Sequence, residues 1–395
     1  MKTLGIIASS DALYEYNNHG YPILNESVHL LQEFADDGFK LCFIGTEFSE
    51  KFNKKLPHEQ FNNELSLLDA EIEYHTPEQG HKYDLLLYHT FFSGKERAEV
   101  MTLLSRRVLT DNPDTKLLYW DQDDEITSRT KLRVPIGPLL AVKHPDQVVY
   151  FSTSQRGVEL SKEDTKEDDK DHRLYPYMKP AHYLPLMVNS KILTKFHQYV
   201  DENLTDVKYC ATFIGGLSGK TYVKPVLTQV AELSSLPLKL ATSFYDFKPL
   251  AECVGDNIEK GKVGRVARQE LALNIASSRF HIHGGGWFSP KLRPENKGID
   301  HPPYYTMKIG EVTWAPEELR PILLTVEFPE RKAMKIPDEL VFDYKDPDLS
   351  HLKNISEEDL AILSAKAYDG ILEYMNSAKW YDYVKTILVG NGAVI

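Results

Sequence analysis

The sequence predicts an α/β protein made of two successive parallel-sheet halves, and three observations carry that prediction. Short apolar runs without polar alternation recur, among them Leu4–Ala8, Lys40–Gly45, Tyr83–His89, Leu117–Trp120, Cys210–Ile214 and Ile322–Val326. Such runs fit strands buried on both faces, as in a parallel sheet covered by helices. Segments of helical apolar spacing lie between them, so strand and helix alternate and the crossovers should be right-handed. The 395 residues are enough for two domains of ordinary size, and Tyr175–Val188, with three prolines among apolar residues, reads as an extended linker between them.

Taken in order, Leu4–Ala8 is the first strand. Asn25 is placed as the N-cap of a helix whose Val28, Leu30, Leu31 and Phe34 share one face, and Gly38 closes it as the C′ residue. Strands at Lys40–Gly45 and Tyr83–His89 follow, then a helix at Ser93–Ser105, with Leu65–Tyr74 left unassigned. Leu117–Trp120 and Gln147–Ser152 complete the first half, and the charged run Lys162–Arg173 reads as an exposed, mobile loop. In the second half, strands are expected at Cys210–Ile214, Leu238–Thr242, Phe280–Ile282 and Ile322–Val326. Helices are expected at Tyr222–Leu233, Arg265–Ala276, Thr306–Thr313, Glu357–Met375 and Trp380–Leu388.

Composition bounds the function. A 42% hydrophobic content with 22 Tyr and 17 Phe is ample for packed cores. Cys42, Cys210 and Cys253 are odd in number and far apart, which points to a reducing, cytoplasmic compartment and to no metal-ligand spacing. No run approaches a membrane span and the N-terminal apolar run is too short for a signal peptide, so no membrane partner is expected. A formal net charge of −12 opposes a nucleic-acid partner unless a local basic face exists.

The chemistry-bearing stretch is Lys116–Ile126, where the apolar strand breaks into Asp121, Gln122, Asp123, Asp124 and Glu125. Ligands of open α/β sheets bind beyond the carboxyl ends of the strands. Carboxylates crowded there repel one another, so at least one should have a raised pKa and suit a general base. The alternative is a solvated acidic turn. In the second half, Gly215, Gly216, Ser218, Gly219 and Lys220 follow a strand and open a helix. Glycines there admit backbone N–H groups to a diphosphate, and the helix N-terminus and Lys220 add positive potential. The loop lacks the Walker A pattern, and an ordinary βα turn is the alternative. Lys308 and Glu311, three apart, would share a helix face, a cation for diphosphate and a carboxylate for ribose; a surface ion pair is the alternative. Gly284–Gly286 is a further close-approach loop, His281 and His283 are taken as core or cleft histidines, and Lys260–Arg279 is a candidate basic patch.

These pieces resemble the GT-B glycosyltransferases, and among them the DNA β-glucosyltransferases of T-even phages, which glycosylate 5-hydroxymethylcytosine in duplex DNA. The likeness spreads over most of the chain. The Lys116–Asp123 strand matches the family's lead-in to the catalytic base and puts Asp123 in that role, with Asp121 and Asp124 orienting or tuning it. Gly215-Gly216-Leu217-Ser218-Gly219 matches the donor loop with one residue fewer, and Lys220 replaces its arginines on the phosphates. Gly261-Lys262-Val263 looks like the turn that touches the uracil ring. Thr306–Glu311 matches the donor helix, placing Lys308 on phosphate and Glu311 on ribose, with Gly285 beside the donor. The resemblance implies a GT-B fold with two Rossmann-like domains facing a central cleft. These are 1–188, binding acceptor, with 377–395 packing back on it, and 189–376, binding donor.

It further implies a monomeric, inverting transferase in the cytoplasm, that of the host for a phage enzyme. The donor is a UDP-sugar, glucose or arabinose, with Mg or Mn optional, and Arg265 and Arg268 are candidate DNA contacts. Lysine in place of arginine removes forked hydrogen bonding. The insertion Phe288–Pro303 bears on the sugar pocket. The rivals are a GT-B enzyme with a protein, lipid or glycan acceptor, a GT-A enzyme using Asp121-Gln122-Asp123 as a D-x-D metal motif, and a non-catalytic two-lobed binding protein.

Overall fold

The computed structural model describes residues 2–7, 27–45, 65–90, 95–121, 136–162, 179–214, 223–233, 235–242, 258–262, 268–284, 306–343 and 346–395. The chain divides into two compact units, Met1–Asn189 with Ser377–Ile395, and Ser190–Asn376.

The first unit holds seven strands: β1 (Lys2–Ile7), β2 (Phe39–Ile44), β3 (Ile72–His75), β4 (Leu85–Thr90), β5 (Lys116–Asp121), β6 (Val148–Ser152) and β7 (His182–Tyr183). All pair in parallel, in the order β3-β2-β1-β4-β5-β6-β7. Its helices are α1 (Ser27–Asp36), α2 (Lys95–Asp111), α3 (Ile136–Lys143) and α4 (Gln155–Lys162). The interior strands β1, β2, β4, β5 and β6 are the uninterrupted apolar runs, and their residues such as Leu4, Leu41, Leu86, Leu118 and Phe151 are buried. Gly38 follows α1 at φ +84°, the left-handed C′ conformation that a side chain would resist. Asn25 lies outside the described residues.

The second unit repeats the plan with six strands: β8 (Tyr209–Ile214), β9 (Leu238–Thr242), β10 (Ile258–Lys262), β11 (Ser278–His283), β12 (Ile322–Val326) and β13 (Val341–Phe342). They too are parallel, in the order β10-β9-β8-β11-β12-β13. Helices α5 (Ser190–Asn203), α6 (Val223–Ala231), α7 (Arg268–Ala276) and α8 (Glu357–Tyr374) flank the sheet, with a 3-10 helix at Thr306–Trp314. The start of α8 is chemically specified: the Ser356 hydroxyl accepts from the Asp359 N–H at 3.0 Å, and Glu357, Glu358 and Asp359 face the positive end of the helix dipole.

Three expectations change. From Lys179 onward the proline-bearing segment is not a linker: it supplies β7, and Leu184, Leu186, Met187 and Val188 are buried in the first unit. The Leu184 N–H donates to the Ser152 carbonyl at 2.9 Å, and the Trp120 indole donates to the Leu184 carbonyl at 3.2 Å. The unassigned stretch around residue 72 is strand β3. Gly261 and Lys262 form no turn; they lie in β10, in register with Ala241 and Thr242. The charged run beyond Lys162 lies outside the described residues.

The chain returns to the first unit through α9 (Ser377–Gly390). Glu33 of α1 fastens both passages. Its carboxylate accepts from Asn189 Nδ2 at 2.6 Å and from the Ser377 hydroxyl, while the Ser377 N–H donates to the Val188 carbonyl at 3.1 Å. Farther along α9, Tyr381 packs edge-on against Phe34, 4.8 Å between ring centroids, and donates its hydroxyl to Asp37 at 2.8 Å. Burial, and then the Asp37 carboxylate, push the Tyr381 phenol above its ordinary pKa, so it stays a donor at all physiological pH values. Glu33→Ala removes one acceptor from Asn189 and one from Ser377. It is expected to destabilise the first unit by about 1–3 kcal/mol and to speed amide exchange in α9. Urea unfolding and hydrogen-exchange mass spectrometry check this, and wild-type exchange in α9 would remove Glu33 from the role.

Candidate active site

Tyr88, Tyr119 and Tyr150 stand in register on β4, β5 and β6. All three are buried. Tyr88 meets Tyr119 edge-on at 5.0 Å, and Tyr119 stacks on Tyr150 at 5.2 Å. Each such pair adds about 0.5–1.5 kcal/mol beyond area burial. Asp121 lies two residues beyond Tyr119, on the same side of the strand, and is fully buried. The Tyr150 hydroxyl donates to Asp121 Oδ2 at 2.7 Å. The Asp121 carbonyl accepts from the Thr153 N–H at 3.0 Å. Helix α3 lies close over this ladder through Gly137, where a Cβ would come within 2.1 Å of the Tyr119 ring.

Asp121 is thus anchored at the carboxyl end of β5, with its carboxylate turned into the unit. The first carboxylate of the acidic run therefore belongs to the core. Asp123, Asp124 and Glu125 follow it and lie outside the described residues. Tyr150, which holds Asp121, was not singled out from the sequence; its signal was a tyrosine within an otherwise apolar strand.

In the second unit the strand order reverses between β8 and β11, the position at which open α/β sheets bind ligands. Ile214 ends β8; Gly215, Gly216, Ser218 and Lys220 follow it and lie outside the described residues, as does Val263. His283 ends β11 and Gly284 is buried behind it, while Gly285 lies outside. His281 and His283 are buried, and His283 Nδ1 lies 3.0 Å from the Thr325 hydroxyl.

Glu311 sits in the 3-10 helix and is 6% exposed, which rules out the surface ion pair considered for it. Three residues per turn place positions 308 and 311 one above the other. Only the backbone of Lys308 is described. The helix is fixed at its C-terminal end: Trp314 stacks on Phe196 at 4.6 Å, His197 Nε2–H donates to the Thr313 carbonyl at 3.0 Å, and the Thr313 hydroxyl donates back to the Gly310 carbonyl at 2.7 Å.

The basic stretch Lys260–Arg279 is divided among β10, α7 and β11. Arg279 donates to Glu357 at 2.8 Å and to the Leu233 carbonyl at 3.1 Å, so it is bound within its own unit. Arg265 lies outside the described residues, and Arg268 is described by backbone alone. Among the described residues the grouping of side chains able to hold a metal is Cys42, Glu73 and His75, on β2 and β3. No helix among the described residues is long and apolar enough to cross a membrane.

Tyr150→Phe deletes the donor to a buried carboxylate. It is expected to lower the urea midpoint by an amount equal to about 1–3 kcal/mol with the slope unchanged; an unchanged midpoint would show that Asp121 is satisfied without it.

No protein-family model and no curated protein matches the sequence. Solved structures do. The chain is similar to a UDP-forming α,α-trehalose-phosphate synthase from Burkholderia xenovorans, with TM-score 0.55, 10% identity and all of both chains covered. It is similar to the α,α-trehalose 6-phosphate synthase from Burkholderia multivorans, with TM-score 0.53, 10% identity and 98% of each chain covered. A trehalose-6-phosphate structure from E. coli bound with UDP-2-fluoro glucose matches with TM-score 0.51 at 10% identity over all of both chains. At such identities the likeness is one of fold, and the fold is α/β of the GT-B kind: two doubly wound parallel sheets in succession, with the last helix returned to the first unit.

Proposed function

We propose that the chain is a UDP-sugar-dependent glycosyltransferase. It moves a glucosyl or arabinosyl group to the hydroxymethyl of 5-hydroxymethylcytosine in duplex DNA, with inversion. The observation that carries the reading is the GT-B fold together with the chemistry at its two strand ends. A carboxylate-rich segment follows β5 in the first unit, and a glycine-rich segment ending in Lys220 follows β8 at the switch point of the second. Asp123 takes the proton from the acceptor hydroxyl, which attacks the anomeric carbon. The departing diphosphate is met by backbone N–H groups of Gly216 and Ser218 and by Lys220 and Lys308. Glu311 holds the ribose, and Val263 and Gly285 border the donor. Asp121, held by Tyr150, positions the segment that bears Asp123 and Asp124. Arg265 and Arg268 are the proposed DNA contacts. The first unit takes the acceptor and the second the donor.

A second reading keeps the chemistry and replaces DNA by a protein, lipid or glycan acceptor. It is favoured by the net charge of −12. A panel of nucleotide sugars against hydroxymethylated DNA, plain DNA and saccharide acceptors, read by mass spectrometry and UDP release, separates the two. The expected product is a sugar on hydroxymethylated DNA alone; transfer only to a saccharide selects the second reading, and no UDP release with any acceptor returns the chain to a binding protein. Asp123→Asn is expected to keep donor affinity and lose at least about 10²-fold in turnover; near-normal turnover removes Asp123 from the base role. Activity is expected without added Mg2+ or Mn2+, and strict dependence on either would favour D-x-D chemistry instead.

A further inference from the structure

The edge of the first sheet carries a cluster of side chains that the transfer reaction does not use. Cys42 of β2 is the register partner of Glu73 of β3. Glu73 and His75 are two residues apart, so all three side chains leave the sheet on one side. One ligand atom from each, the Cys42 Sγ, a Glu73 carboxylate oxygen and a His75 ring nitrogen, lie within 4.8 Å of one another. Ligand atoms around a tetrahedral zinc stand roughly 3.5 Å apart, so small side-chain shifts close the set. We propose that Cys42, Glu73 and His75 form a binding site for a zinc-class divalent cation, with a water completing the tetrahedron.

Two features around the triad suit that role. The Tyr83 hydroxyl lies 3.0 Å from His75 Nδ1, which turns Nε2 toward Glu73, 3.1 Å away. An outer partner on the second ring nitrogen is what orients a metal-bound histidine. Charge also balances. The cation, a Cys42 thiolate and the Glu73 carboxylate sum to zero, and Lys40, which pairs with Glu73, is matched by Glu71 at 2.7 Å. Coordination displaces the Cys42 thiol proton.

The competing reading is a polar rim on an edge strand, in which Lys40 holds Glu73 and His75 simply bridges Glu73 and Tyr83. Cobalt distinguishes the two, because a rim makes no thiolate bond. Titrating the full-length protein with Co2+ is expected to give a thiolate-to-cobalt charge-transfer band and the intense visible bands of tetrahedral cobalt, both displaced by zinc. Cys42→Ser is expected to abolish the charge-transfer band and weaken zinc binding by about 100-fold. Cys210→Ser and Cys253→Ser are expected to retain the band. A wild-type protein without the band overturns the proposal, and needs no variant to fold. So does Cys42→Ser protein that binds zinc as tightly as wild type, or loss of the band on replacing either other cysteine.

Discussion

The carboxylate of Glu33 is the point at which the first unit holds both the departing and the returning chain. A chain that leaves one domain, builds another and comes back must fix its exit and its re-entry, or the returning helix is free to detach. Here one side chain does both, accepting from Asn189 on the way out and from Ser377 on the way back. His29, one helical turn earlier on α1, takes the Asn189 N–H on its Nδ1 at 3.1 Å. Closing the excursion through the whole second unit carries a loop entropy that grows only slowly with length. A few charge-assisted hydrogen bonds, each worth about 1.5–3 kcal/mol, together with the buried Phe34–Tyr381 contact, are on the right scale to offset it. The remainder of α9 then needs only its apolar face, through Tyr381, Val384 and Leu388, to stay docked.

Which parts of the fold could be read from sequence follows from where each strand sits. The interior strands β1, β2, β4, β5, β6, β8 and β12 carry mainly buried apolar residues in near-continuous runs. The strands that escaped notice, β3, β7, β10 and β13, are the four outermost strands of the two sheets. An edge strand has a neighbour on one side only and admits charge, as in the Ile-Glu-Tyr-His of β3 and the Ile-Glu-Lys-Gly-Lys of β10. Periodicity fails there because the environment that imposes it is half missing. Helix α5 is a different case. Its Ile192, Leu193, Phe196 and Val200 share one buried stripe at helical spacing, so the signal was present in the sequence and was passed over.

The site divides in the same way. Spacing alone placed Glu311 on a common helix face with Lys308, and the 3-10 geometry keeps that relation while burying Glu311. Sequence could not divide the acidic run after Trp120, because the division is made by the pleat. Asp121 falls on the side of the strand lined by Tyr119 and Tyr150, where a hydroxyl awaits it. Its partner lies on another strand, set beside it only by the register of β5 with β6. The Cys42–Glu73–His75 cluster was invisible for the same reason: a spacing rule for metal ligands looks along the chain, whereas here the cysteine and the other two meet across a sheet.

The first six strands of the two units run in one order, so their backbones alone do not say which would hold a nucleotide-sugar donor. The distinction is chemical. Beyond β5 the sequence places carboxylates, and a diphosphate set among them would face like charges at short range, a cost of several kcal/mol wherever water is excluded. Beyond β8 it places glycines and a lysine, and at β11 the strand ends on His283 and a buried Gly284, with no carboxylate at either position. Glu311 lies in a different element, the 3-10 helix that packs on Phe196 and His197 of α5. A hydroxyl acceptor has the opposite requirement, since it must lose a proton and gains nothing from a cation at the anomeric side. The carboxylates beyond β5 and the glycines and lysine beyond β8 therefore support the proposal that, in a transfer, the base would lie in the first unit and the leaving group would be met in the second.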